Sequence, residues 1–230
     1  MRTAAVLRDI YHRLLAHFGP QHWWPGGSPF EIMTGAILTQ NTNWSNVAKA
    51  IANLKAAGLL APAQLAALSA GELAEIIRPA GYHNLKAARL KNLLALIAEQ
   101  GGVETLLAQP TAMLRELLLG VKGIGPETAD SIVLYAAGRP VFVVDAYTHR
   151  ILFRHGLISE DCDYFQMQEL FMDHLEEDAA LFNEYHALIV RVGKEFCKKS
   201  KPRCEGCPLS AAGEEDFLSQ QAWHLQDDLI

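Results

Sequence analysis

The chain has 230 residues, 50% of them hydrophobic and 20% charged, with a formal net charge of −6. That is the make-up of a globular protein with one large core or two smaller ones. No apolar run approaches the roughly 20 residues that a membrane span needs, and the acidic balance restricts nucleic-acid binding to local patches of positive charge.

Apolar residues recur at three- and four-residue spacing over 4–17, 29–53, 63–77, 84–99, 111–118, 126–137, 144–155, 164–174 and 178–196, which predicts a helix in each. The first of these is interrupted by Arg8, Asp9, His12 and Arg13, so it reads as an amphipathic helix and not as a secretory signal; an intracellular protein is expected. Short Gly- or Pro-bearing breaks separate the helices: GPQHWWPGGSP, RPAGYH, EQGG and LGVKGIGP. Only Val141-Phe142-Val143-Val144 has strand-like composition, and four residues make no sheet. The fold class is therefore all-α. Residues 210–230 form an acidic tail.

Four segments carry chemistry. In Gly123-Ile124-Gly125-Pro126, two glycines permit a tight turn and Pro126 suits the first position of the next helix. Such a turn can offer backbone N–H groups to a phosphate, although an ordinary helix connection has the same text. Asp145 ends the VFVV run where a helix begins; it is either a simple N-cap or a functional carboxylate. Arg191, Lys194, Lys198, Lys199, Lys201 and Arg203 form a basic cluster opposed only by Glu195 within that span. Of four cysteines, Cys197, Cys204 and Cys207 crowd into one segment, a pattern that suggests a metal more than disulfides, while Cys162 sits apart as a plain exposed thiol.

Taken in order, with the segments PFE…LTQNT at 29–42 and GYHNLKA at 81–87, these motifs resemble the helix-hairpin-helix DNA glycosylase superfamily, which includes endonuclease III and the adenine-mismatch glycosylases. The resemblance covers about residues 4–208. It implies two helical lobes with the DNA groove between them. One lobe is 26–138, containing the hairpin at about 113–133; the other is 1–25 with 139–209, carrying the cysteine loop 197–207. It implies that Asp145 is the catalytic carboxylate, and that Gly123, Ile124, Gly125 and Lys122 engage the DNA backbone. Gln40, with His83 or Asn84, would fill the gap left by a flipped base.

The departures matter as much. Bifunctional members carry a lysine nucleophile at the position of Glu127, and a glutamate forms no Schiff base. The implied enzyme is monofunctional, without β-lyase activity. His22-Trp23-Trp24-Pro25, followed by LTQNT and Trp44, resembles the monofunctional 3-methyladenine glycosylases. In that subgroup aromatic rings and a proline sandwich the base, which points to Trp24 and Trp44 with Pro25, and leaves Trp23 as a core residue or a further wall. Cys197, Cys204 and Cys207 match three of the four ligands of the family's [4Fe–4S] cluster, but Gly213 stands at the fourth position. A cluster completed by Cys162 or a non-cysteine ligand such as His224, a three-iron or labile cluster, zinc, and an empty loop all stay open. The readings are thus a monofunctional glycosylase for alkylated purines, an endonuclease III-like glycosylase for oxidised pyrimidines, and a non-catalytic DNA-binding module. The expected partner is damaged double-stranded DNA, met by a monomer.

Overall fold

In the computed structural model, which describes residues 2–210, the described residues form twelve α-helices, one 3₁₀ turn, one π-type turn and no β-strand. The predicted tail beyond Ser210 lies outside them, as do Gly213 and His224. The helices divide between two compact units, Met1–Trp23 with Pro140–Ile230, and Trp24–Arg139. No helix among the described residues is long and apolar enough to cross a membrane.

The Trp24–Arg139 unit is built around α2 (Pro29–Leu38). Ser28 caps this helix by accepting the Glu31 N–H, Pro29 takes its first position, and Phe30, Met33, Thr34, Ala36, Ile37 and Leu38 are all buried. A helix apolar on every side belongs at the centre of a bundle. The apolar spacing predicts one helix over 29–53, but the chain breaks at Thr39–Asn43. Thr39 Oγ1 donates back to Gly35 O, Asn41 adopts a left-handed φ of +54°, and Asn43 caps α3 (Trp44–Ala56). Polar side chains that bond their own backbone outcompete the helix there. The 63–77 pattern splits likewise into α4 (Pro62–Ala67) and α5 (Ala70–Ile76), because Ser69 and Glu72 form a reciprocal capping box. After the 3₁₀ turn Arg78–Ala80 come α6 (His83–Glu99), α7 (Val103–Leu107), α8 (Thr111–Leu119) and α9 (Pro126–Ser131), and α9 widens into the π-type turn Ile132–Ala136.

In the other unit, α1 (Arg2–Phe18) packs along α12 (Ala179–Glu195), with the buried Tyr185 hydroxyl donating to Leu7 O at 2.8 Å. The VFVV run is extended and buried, yet pairs with no strand. Gln168, on α11 (Tyr164–Met172), donates its amide to Phe142 O at 2.6 Å and so satisfies one carbonyl a sheet would otherwise have taken. The Phe142 ring stacks on Phe171 at 3.9 Å and meets Phe182 and Tyr185 edge-on. This aromatic core delivers the chain to α10 (Ala146–Arg154), which packs on α12. Gly193 makes that packing close: a Cβ there would lie 2.4 Å from Tyr147 Cδ1.

Candidate active site

Asp145 caps α10. Its Oδ1 accepts from Tyr147 N at 2.9 Å, Thr148 N at 2.8 Å and Thr148 Oγ1 at 3.0 Å. Its Oδ2 lies 3.8 Å from His186 Nε2 of α12, and the Asp145 side chain is only 11% exposed. Burial by itself raises the carboxyl pKa. The imidazole of His186 and the donors of Thr148 outweigh it and hold the carboxyl below its ordinary value. The cap occupies one oxygen and leaves the second facing His186.

The hairpin joins α8 to α9. Gly123 takes a φ of +99°, and a Cβ there would fall 2.5 Å from Arg89 Cγ, so both backbone and packing demand glycine. Ile124 is buried and anchors the turn. Arg115 holds the fully buried Asp130 through two bonds of 2.6 and 3.0 Å, locking α8 to α9. Gln40 reaches across to this turn: its amide donates to Gly123 O at 3.1 Å and to Thr128 Oγ1 at 3.0 Å, and Arg89 donates to its Oε1. Lys122 and Glu127 are exposed, and Glu127 stands on the first turn of α9.

In the same unit Trp24 meets Trp44 edge-to-face at 5.2 Å and Tyr135 at 5.2 Å. Gly35 makes room for the indole: a Cβ there would lie 3.0 Å from Trp24 Cζ2. The loop is fixed by the buried Glu31, which accepts the Gly27 N–H at 3.0 Å and pairs with Lys55 at 2.7 Å. Pro25 is exposed, and Trp23 belongs to the other unit. Tyr135 is absent from the sequence reading because a tyrosine inside an apolar helical pattern reads as core. The only hint is its place in a π-type turn, a distortion frequent at functional sites.

The GYHN loop carries a second residue missed from sequence. His83 and Asn84 open α6, but Tyr82 before them is 69% exposed on left-handed backbone, with φ +45°. That conformation is costly for an aromatic residue and holds the ring outward. Buried Lys86 secures the loop, its ammonium donating to Leu38 O and Ala80 O at 2.8 Å each.

The cysteine loop is gripped by α10. Arg150 donates to Cys197 O at 2.7 Å, and Arg154 donates to Lys198 O at 2.7 Å, to Lys199 O at 3.0 Å and to Cys197 Sγ at 3.4 Å. Cys204 is exposed. Burial, and then the neighbouring Cys197 and Cys204, push the Cys207 thiol pKa up. Cys162 is half-buried, its thiol also raised by burial and by Asp163 and Asp161. Among the described residues no three His, Cys, Asp or Glu side chains converge where a metal ion could sit. Cys197 Sγ accepts from Arg154 and Cys204 is exposed, and no chemical step is derived through a metal.

Among the described residues, an all-helical fold with a Gly-Ile-Gly hairpin and a buried aspartate at a helix start has the form of a base-excision DNA glycosylase of the helix-hairpin-helix type. Residues 34–177 match the HhH-GPD superfamily of base excision DNA repair proteins, and the chain belongs to that family. It is 47% identical over 207 residues to a Methanocaldococcus jannaschii protein provisionally named a DNA repair glycosylase, covering 89% of this chain and 94% of that one. It is 27% identical to endonuclease III of Sulfolobus acidocaldarius over 78% of this chain and 79% of that one. Among solved structures, the H. pylori 3-methyladenine DNA glycosylase bound to 1,N6-ethenoadenine is similar at TM-score 0.72 and 32% identity, covering 84% of this chain and 98% of that one. An endonuclease III trapped as a covalent intermediate on DNA shares the fold at TM-score 0.77, with 23% identity over 90% and 93% of the two chains.

Proposed function

We propose that the protein is a monofunctional glycosylase that removes alkylated purines such as 3-methyladenine from double-stranded DNA. The observation that carries this reading is the aromatic cluster of Trp24, Trp44 and Tyr135. Alkylation at a ring nitrogen makes the purine cationic, and a desolvated cation over an indole gains on the order of 2 kcal/mol. A cationic base is also a good leaving group, so one carboxylate suffices. The likeness to a 3-methyladenine glycosylase supports the same substrate class.

The chemistry then falls to Asp145. As the glycosidic bond lengthens, positive charge grows on the sugar, and the ionised Oδ2 stabilises it and orients the attacking water. Glu127, where a lyase would need an amine, supports hydrolysis without strand cleavage. The hairpin N–H groups serve the DNA backbone, and Lys198–Arg203 add phosphate contacts. Tyr82, with its exposed ring, fills the space the extruded base vacates. The cysteine loop has a structural part in this reading. Iron and zinc analysis of the purified protein, where the donor set predicts less than one metal equivalent, tests it.

The deciding experiment measures free bases released from methylated duplex DNA by wild type and by Asp145→Asn. The expected result is 3-methyladenine release by wild type, a loss on the order of 10³-fold in the variant, and DNA binding kept. Borohydride should trap no covalent adduct with abasic DNA. Release of oxidised pyrimidines in place of methylated purines, or a trapped adduct, would move the enzyme to the endonuclease III-like class that its 27%-identical relatives carry by name.

A further inference from the structure

The two oxygens of Asp145 have different surroundings. Oδ1 takes three hydrogen bonds from the first turn of α10, which saturates it. The reacting sugar can use only Oδ2. The side chain that faces Oδ2 is His186, at 3.8 Å and itself only 10% exposed.

We propose that His186 is a positioning residue for Asp145: its Nε2 aims Oδ2 at the reacting sugar, and the gap closes to a hydrogen bond when DNA is bound. This rests on the glycosylase role given to Asp145 above. Separations of this kind in DNA-free enzymes commonly tighten in the substrate complex. The placement is built into the packing of the two helices. His186 and Gly193 lie seven residues apart, two turns along one face of α12. Gly193 lets that face come close to α10, because a Cβ would overlap the Tyr147 ring at 2.4 Å. The low carboxyl pKa agrees with a donor on this side, His186 being the largest of the influences that lower it. Lys194, also on α12, is a cation within electrostatic reach of Asp145, its own pKa lowered by burial and raised in part by Asp145.

The test is single-turnover base release with kcat and KM separated, on three variants of the whole chain. His186→Phe keeps the ring volume and removes the donor; it should lose about 30-fold in kcat with KM for DNA unchanged, the size of one hydrogen bond to a charged group. His186→Gln restores an N–H near Oδ2 and should recover about tenfold of that loss. Gly193→Ala should spread α10 from α12 and lower kcat with KM unchanged, and it remains a usable test if the phenylalanine variant does not fold. A folded His186→Phe with wild-type kcat overturns the proposal, as does an equal loss in His186→Phe and His186→Gln, or a Gly193→Ala enzyme with unchanged kcat. A wild type that releases no base at all counts instead against the glycosylase reading, and takes this inference with it.

Discussion

Helix α10 begins with a side chain that takes up the N–H groups of its own first turn, whereas α9 begins with a glycine that takes up none. At the first, Asp145 is held from within by Tyr147 and Thr148. At the second, Gly125 is extended, exposed and empty: a Cβ there would meet no atom within 4 Å. The fold therefore explains why Asp145 suits its position, but it does not explain Gly125. Its neighbour Gly123 has an internal reason in its left-handed φ and in Arg89. Under the proposed function, the open space at Gly125 is clearance for the DNA backbone.

The largest effect on the hairpin should come from below it. Arg115→Met removes the guanidinium from the fully buried Asp130 and should cost about 3–5 kcal/mol in a denaturant titration. A loss under about 1 kcal/mol would mean that the pair does not hold the two helices. Gly123→Ala should cost about 1–2 kcal/mol, from the left-handed backbone and the displaced Arg89. Gly125→Ala separates the two glycines: stability should stay within about 0.5 kcal/mol of wild type, while affinity for duplex DNA falls roughly tenfold. Unchanged affinity would remove the hairpin from the DNA interface.

A further effect is a pH dependence. Burial, assisted by Arg89, lowers the Lys86 pKa from its ordinary 10.5 to about 8. Between those values the unfolded chain holds a proton that the folded one has released, so this residue makes stability rise with pH across that window. Melting temperatures of wild type and Lys86→Met across that range check it: the difference between them should grow with pH.

Much of this was legible in the residues. The 3.6-residue spacing marks the long helices, and the two glycines, Pro126 and the VFVV-Asp run mark both helix starts. The breaks at Thr39–Asn43 and Ser69 were hidden because capping by short polar side chains leaves the apolar period intact on both sides. Helix α7 escaped notice because five residues are too few to show a period. Tyr82 and Tyr135 were missed for opposite reasons, one an aromatic the fold leaves outside, the other an aromatic it turns toward Trp24. His186 could not be found at all from spacing: 41 positions separate it from Asp145, and only the packing of α12 on α10 brings them together. The cysteine spacing shows three thiols in one segment, but it could not show that Arg154 of α10 reaches Cys197 Sγ.

One ammonium group has a consequence for anyone who would re-engineer this enzyme. Lys86 holds the carbonyl that ends α2 and the carbonyl just before Gly81, so the loop with Gln40 and the loop with Tyr82 hang from the same atom. They are not separable modules. A graft that replaces one with a relative's version changes the footing of the other, and such exchanges should succeed only when both loops and the lysine travel together.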